Sequence, residues 1–139
     1  MSKLTRYTIT MPGDLFEAFD RRNAKMGYRN RSEAIRDLAR EALVREEWSR
    51  PDQRVAAVLT IVYDHHTRGL ADKLTDLQHA HEQEIISSLH VHLDHHNCLE
   101  IIVLRGKAGD VRVLADALAV LKGVKHSSIT LTTEGRDFQ

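Results

Sequence analysis

The stretch LTRYTITMP (residues 4–12) places Tyr7, Ile9 and Met11 on one side and Arg6, Thr8 and Thr10 on the other, the alternation of a half-buried strand. Helical spacing begins directly after it. Pro12 suits a first helical turn, Leu15, Ala18, Phe19 and Met26 recur at helical spacing, and Gly27 offers a left-handed stop. Asn30 with Glu33 resembles a capping box, and Ala34, Ile35, Leu38, Ala39, Ala42 and Leu43 make the apolar stripe of a second helix. One strand leading into two helices has an unpaired edge and too little core to stand alone. The partner it calls for is the same strand of a second chain.

That demand fits the rest of the sequence. With 139 residues the chain holds one ordinary domain or two small ones, and its 42% hydrophobic and 29% charged residues are those of a globular protein. Formal net charge is zero, but residues 1–50 carry 11 Lys and Arg against 8 Asp and Glu, whereas the remainder carries 9 against 12. All nine histidines lie in the second part. Both properties change near EEWSRPDQR (residues 46–54), where Pro51 cannot continue a helix, so a boundary is expected between residues 1–50 and 51–139. No signal-peptide core and no membrane-length apolar run occurs, so the expected location is the cytoplasm.

The first part resembles the ribbon-helix-helix DNA-binding module, through RYTITMP and then YRNRSEAIRDLAREAL. The resemblance implies an intertwined dimer whose two-stranded ribbon enters the major groove, with Arg6, Thr8 and Thr10 facing bases. Arginine can pair with guanine through two hydrogen bonds, and threonine offers a hydroxyl and a methyl group. The helix start at Arg31 and Ser32 offers backbone amides to a phosphate.

The second part alternates strand and helix. VAAVLTIVYD (55–64) reads as a central strand, GLADKLTDLQHAHEQ (69–83) as a helix with Leu70, Leu74 and Leu77 inward, and residues 87–97 and 98–106 as a hairpin. Asp110 can cap a helix bearing Val113, Leu114, Leu118 and Leu121, with Gly123 as its stop, and residues 126–134 alternate as a last strand. The order is βαββαβ, a ferredoxin-like or ACT-like domain, so the chain is α+β overall.

In that hairpin His90 and His92 share a face, while Val91 and Leu93 are expected in the core. If the turn holds an odd number of residues, His92 stands opposite Cys98, the only cysteine. Two imidazoles and a thiol then converge, although a buried, inert Cys98 is the alternative. A fourth ligand could come from His65, His66, His79, His81, His95 or His96. At 100° per residue His79 falls opposite Leu70, away from its own core, which suits either solvent or a neighbouring subunit. An open coordination position would admit hydrolytic chemistry; four protein ligands would not.

With these residues together, the whole chain resembles nickel-responsive regulators of the NikR type, through the ribbon-helix-helix module, the H-V-H-x(5)-C-L-E run at residues 90–100 and a histidine eleven residues before His90. The resemblance implies a square-planar nickel site, one per subunit, made by His90, His92 and Cys98 of one chain and His79 of a neighbour. It implies that Glu100 and Tyr63 hold ligand rings, that Arg68 touches DNA, and that Glu33 and Asp37 can hold a low-affinity cation. It further implies a homotetramer, a dimer of dimers, on a palindromic double-stranded operator, repressing nickel uptake and not acting as an enzyme. A small-molecule-binding ACT-like domain, or a sensor of copper or zinc, is the competing reading.

Overall fold

The computed structural model describes residues 3–138. The elements are α1 (Gly13–Met26), α2 (Arg31–Ser49), β1 (Arg54–Asp64), α3 (Leu70–Ala80), β2 (Ile85–His92), β3 (Asn97–Lys107), α4 (Ala108–Ala119) and β4 (Val124–Thr132). They fall into two compact units: one ends at Leu43 and takes in the tail from Gly135 on, and the other runs from Val44 to Glu134. The division therefore lies within α2, ahead of the linker expected near residue 50. Trp48 explains why. It is buried with the second unit's core, and its indole N–H donates to the Thr132 carbonyl oxygen at 2.8 Å.

In the first unit the described residues 3–12 pair with no strand of their own chain, and Tyr7 is 67% exposed. A ladder needs a second strand, and the segment LTRYTITMP supplies one edge only. Pro12 precedes α1 as its cap residue, and Gly27 closes it at φ 76°, the left-handed conformation that favours glycine. Asn30 Oδ1 accepts the Glu33 backbone N–H at 2.9 Å, so the side-chain half of the expected capping box is present at the start of α2.

The second unit is a four-stranded sheet in the order β2-β3-β1-β4, every neighbouring pair antiparallel. With α3 and α4 this is the ferredoxin-like βαββαβ arrangement. Val55, Ala57, Leu59, Ile61 and Tyr63 alternate into the core along β1, and Ile102 and Leu104 join them from β3. Leu70 and Leu74 of α3 and Val111, Leu114 and Leu118 of α4 cover that face. Each such side chain contributes roughly 1.5–3 kcal/mol through removal from water.

Three local expectations need correction. Asp110 does not cap α4: the helix begins at Ala108 after an extended Lys107, and Asp110 lies in the first turn, where its charge suits the helix dipole. α4 also ends before Gly123, with Val120 at its C-cap. Val91 and Leu93 do not enter the core. Register pairs His90 with Glu100 and His92 with Cys98, so the histidines lie on the helix-covered face and Leu89 and Val91 on the opposite one. No described helix covers that opposite face, and Leu89 and Leu93 are 56% and 53% exposed.

Candidate metal centre

Strand register builds the centre at one end of the sheet. The last rungs pair Tyr63 with Cys98 between β1 and β3, and His92 with Cys98 between β2 and β3. Cys98 is therefore central, with β1 on one side and the edge strand β2 on the other. Its side chain is fully buried, yet its Sγ lies 3.4 Å from His92 Nδ1 and 3.2 Å from His65 Nδ1. The ligand atoms of these three residues all lie within 4.8 Å of one another. Bonds of about 2.3 Å to sulfur and 2.0 Å to nitrogen put neighbouring ligands about 3.0 Å apart at a right angle and about 3.5 Å apart at a tetrahedral one. The observed separations fall between these values, so the pocket is already sized for a transition-metal ion. A thiolate with imidazoles is a donor set for late first-row metals.

His90 is held beside this group. Its ring centroid is 4.8 Å from that of His92. Tyr63 Oη donates to Glu100 Oε2 at 3.1 Å and lies 3.1 Å from His90 Nδ1. The single phenolic proton is committed to the carboxylate, so the phenolic oxygen accepts from Nδ1–H, which leaves the lone pair of His90 on Nε2. Gln78 of α3 donates to the other carboxylate oxygen, Oε1, at 2.7 Å. Burial, and then the Glu100 charge, push the Tyr63 phenol well above its ordinary value, so it remains a donor.

Protonation favours imidazole ligands and resists the thiolate. Burial lowers the His65 pKa, with His66 and His92 adding to the effect, so its ring is neutral and able to bind metal. Burial raises the Cys98 thiol, with Asp94, Asp64 and Glu100 adding to it, so metal must displace that proton.

The remaining sequence candidates are dispersed. His79 is exposed on α3, on the side away from buried Leu70 and Leu74, and lines a cleft of about 480 Å³ with Tyr63, Gln78, His90 and Glu100. It is not among the ligand atoms gathered at Cys98. His81 lies just beyond α3, its Nδ1 3.7 Å from Glu84. Arg6, Thr8, Thr10, Ser32 and Arg68 are exposed. Arg31 makes two hydrogen bonds to Asp20, at 2.8 and 2.6 Å, and stacks over Phe16. Asp37 accepts from Tyr28 and Arg40, both at 2.9 Å, and among the described residues neither Glu33 nor Asp37 belongs to a metal-ligating group of three.

The residue that sequence reasoning undervalued is His65. It stood among six possible fourth ligands, and only the β1–β3 register, which aligns Tyr63 with Cys98, carries a residue two positions on to the thiol.

Comparison with known proteins assigns both units. Residues 5–46 match the family described as ribbon-helix-helix protein, copG family, and residues 56–132 match the NikR C-terminal nickel-binding domain. The chain belongs to the NikR family. It is thus a DNA-binding regulator carrying a nickel-binding domain, and not an enzyme. Relatives named as putative nickel-responsive regulators are 53% identical over 135 residues in Geobacter sp. (strain M21) and 50% identical over 135 residues in Thermococcus onnurineus, covering 97% of this chain and 97% and 98% of theirs. A solved structure of an uncharacterized Thermotoga maritima protein shares the fold at a TM-score of 0.51 and 16% identity, over 56% of this chain and 96% of that one. Among the described residues no helix is long and apolar enough to cross a membrane.

Proposed function

We propose that the chain represses nickel-uptake genes in the cytoplasm, as a homotetramer of two DNA-binding dimers that grips a palindromic operator when nickel is bound. The observation that carries this reading is a buried thiol within 3.4 Å of two imidazoles, in a chain whose other unit is a ribbon-helix-helix module. Arg6, Thr8 and Thr10 read bases in the major groove, while the α2 start at Arg31 and Ser32, and Arg68 in the loop after β1, meet phosphates. Nickel binds in a square plane to His90, His92 and Cys98 of one chain and His79 of a neighbour. The exposure of His79 and the lone pair on His90 Nε2 support that set. Tyr63 and Glu100 orient His90, as partners of a ligating imidazole do. Bridging two subunits, the ion fixes α3 and the loop before it, and with them Arg68. DNA must then tighten nickel binding by the same factor by which nickel tightens DNA binding. Glu33 and Asp37, near the start of α2, offer carboxylates to a low-affinity cation.

A second ligand set has its own support: His65 Nδ1 lies 3.2 Å from Sγ and could take the place of His79 within one chain. Nickel titration of the apo-protein, monitored by its thiolate-to-metal charge-transfer band, tests both, with Cys98→Ala as the control that abolishes the band. Mixed oligomers of His79→Ala and Cys98→Ala chains should regain part of the tight binding that each lacks alone. If mixing restores nothing while His65→Ala abolishes the band, the site lies within one chain.

A further inference from the structure

Beside the Cys98 centre lies a second group of ligand atoms that the nickel site does not use. We propose that Asp64, His66 and His96 hold a second divalent transition-metal ion, bound more weakly than the ion at Cys98. The ligand atoms of these three side chains lie within 4.8 Å of one another. They come from two turns at the same end of the sheet, the one after β1 and the one between β2 and β3. The His65 backbone N–H donates to the His96 carbonyl oxygen at 3.2 Å, and Asp64 pairs with Asn97 on the last rung. Both turns are fixed internally. Asp94 Oδ1 accepts the backbone N–H groups of His96 and Asn97, each at 2.8 Å, and Asp64 Oδ1 accepts that of His66 at 2.9 Å.

His66 is also oriented as a metal ligand would be. Its Nε2 lies 3.2 Å from the His95 carbonyl oxygen, an acceptor only, so Nε2 carries the proton and the lone pair resides on Nδ1. Donation of the second ring nitrogen to a carbonyl is the usual setting of a ligating histidine. The Asp64 carboxyl is held below its ordinary range, chiefly by the His66 N–H and further by the Lys125 charge, so it offers an ionised oxygen.

The two groups share no residue. His65 and His66 are consecutive, their ring centroids 4.1 Å apart, yet the first reaches Cys98 and the second reaches the β2–β3 turn. Two imidazoles and a carboxylate form a nitrogen–oxygen set suited to Ni²⁺, Zn²⁺ or Co²⁺ and poorly suited to Mg²⁺ or Ca²⁺, which prefer oxygen alone. His66 and His96 are exposed, so water completes the coordination. Exposure and the lack of a thiolate make this the weaker site. An ion here would tie together the two turns that present His65 and His92 to the thiol, so it fills after the first and stiffens the frame around it.

Only the ranking of the two sites depends on the Cys98 reading, and the test separates them. The full-length apo-protein is dialysed against nickel alone, and bound metal is counted by mass spectrometry. The His66→Ala/His96→Ala double variant should lose one weakly held nickel per chain relative to the original protein, with the charge-transfer band of Cys98 and the far-ultraviolet circular dichroism retained. The single changes His66→Gln and His96→Gln repeat the count with side chains closer in size, should the double change disturb the turns, and each should weaken the same class of binding. Unchanged nickel stoichiometry and affinity in the folded variants overturns the proposal. A missing charge-transfer band together with loss of the weak equivalent would overturn the Cys98 reading and leave this one standing.

Discussion

The two units handle their apolar side chains in opposite ways. In the first, Leu4 is 89% exposed, Leu15 is 58% exposed, and among the described residues the only buried hydrophobic one is Ala34. In the second, sixteen hydrophobic residues form one buried cluster running from Trp48 to Leu118. The first unit is half of a core and the second already has one. Apolar surface in the first unit therefore stabilises only through association, so its contribution must vary with protein concentration, whereas the second unit's contribution must not.

Substitution in each core makes the sharpest test of that contrast. Ile102→Ala removes a fully buried side chain from β3 and should destabilise the second unit by about 2–5 kcal/mol. Urea denaturation should give that loss at any protein concentration. Leu38→Ala, on the exposed stripe of α2, should instead shift a midpoint that moves with concentration. Concentration-independent unfolding of the first unit would break the comparison. Arg6→Ala should leave both folding transitions in place, weaken operator binding by about 1–3 kcal/mol and relax base preference in footprinting, with nickel binding unchanged.

The extent to which each region was legible tracks the same division. Alternation in VAAVLTIVYD and the leucines of α3 and α4 announced a self-sufficient βαββαβ unit, because these side chains meet partners in their own chain. The N-terminal alternation was equally clear, yet no strand of the same chain pairs with it. Errors arose where position depends on distant register. Val91 and Leu93 have core composition, but their parity opposes that of Cys98 and Glu100, which only the β2–β3 pairing reveals. His65 was one histidine among many until β1 aligned with β3. His79 was readable by angle alone, because its helix carries its own buried stripe.

Two smaller effects refine the comparison further. Because burial raises the Cys98 thiol, it is protonated at neutral pH and nickel must release that proton, so nickel affinity should rise with pH. The slope expected from one proton is about tenfold per pH unit, read from titrations between neutrality and mildly alkaline pH, and it should vanish in Cys98→Ser if the thiol is its source. Least of all, Asn30→Ala removes the side-chain acceptor for the Glu33 N–H and should cost the first unit about 1 kcal/mol, measurable as a lowered midpoint in thermal unfolding.

Trp48 is the only tryptophan of the chain, and it is buried at the end of the same helix that begins at Arg31 and Ser32. Its indole is anchored to Thr132 and overlaid by the Arg112 guanidinium, 5.1 Å from the ring centroid. The protein thus carries a single indole fluorophore, placed where the last turn of α2 enters the second unit's core. Emission should be that of an apolar environment in the intact chain and should shift to the red when this anchorage loosens. Whatever nickel or an operator does to the end of α2 can then be watched by light, without a label.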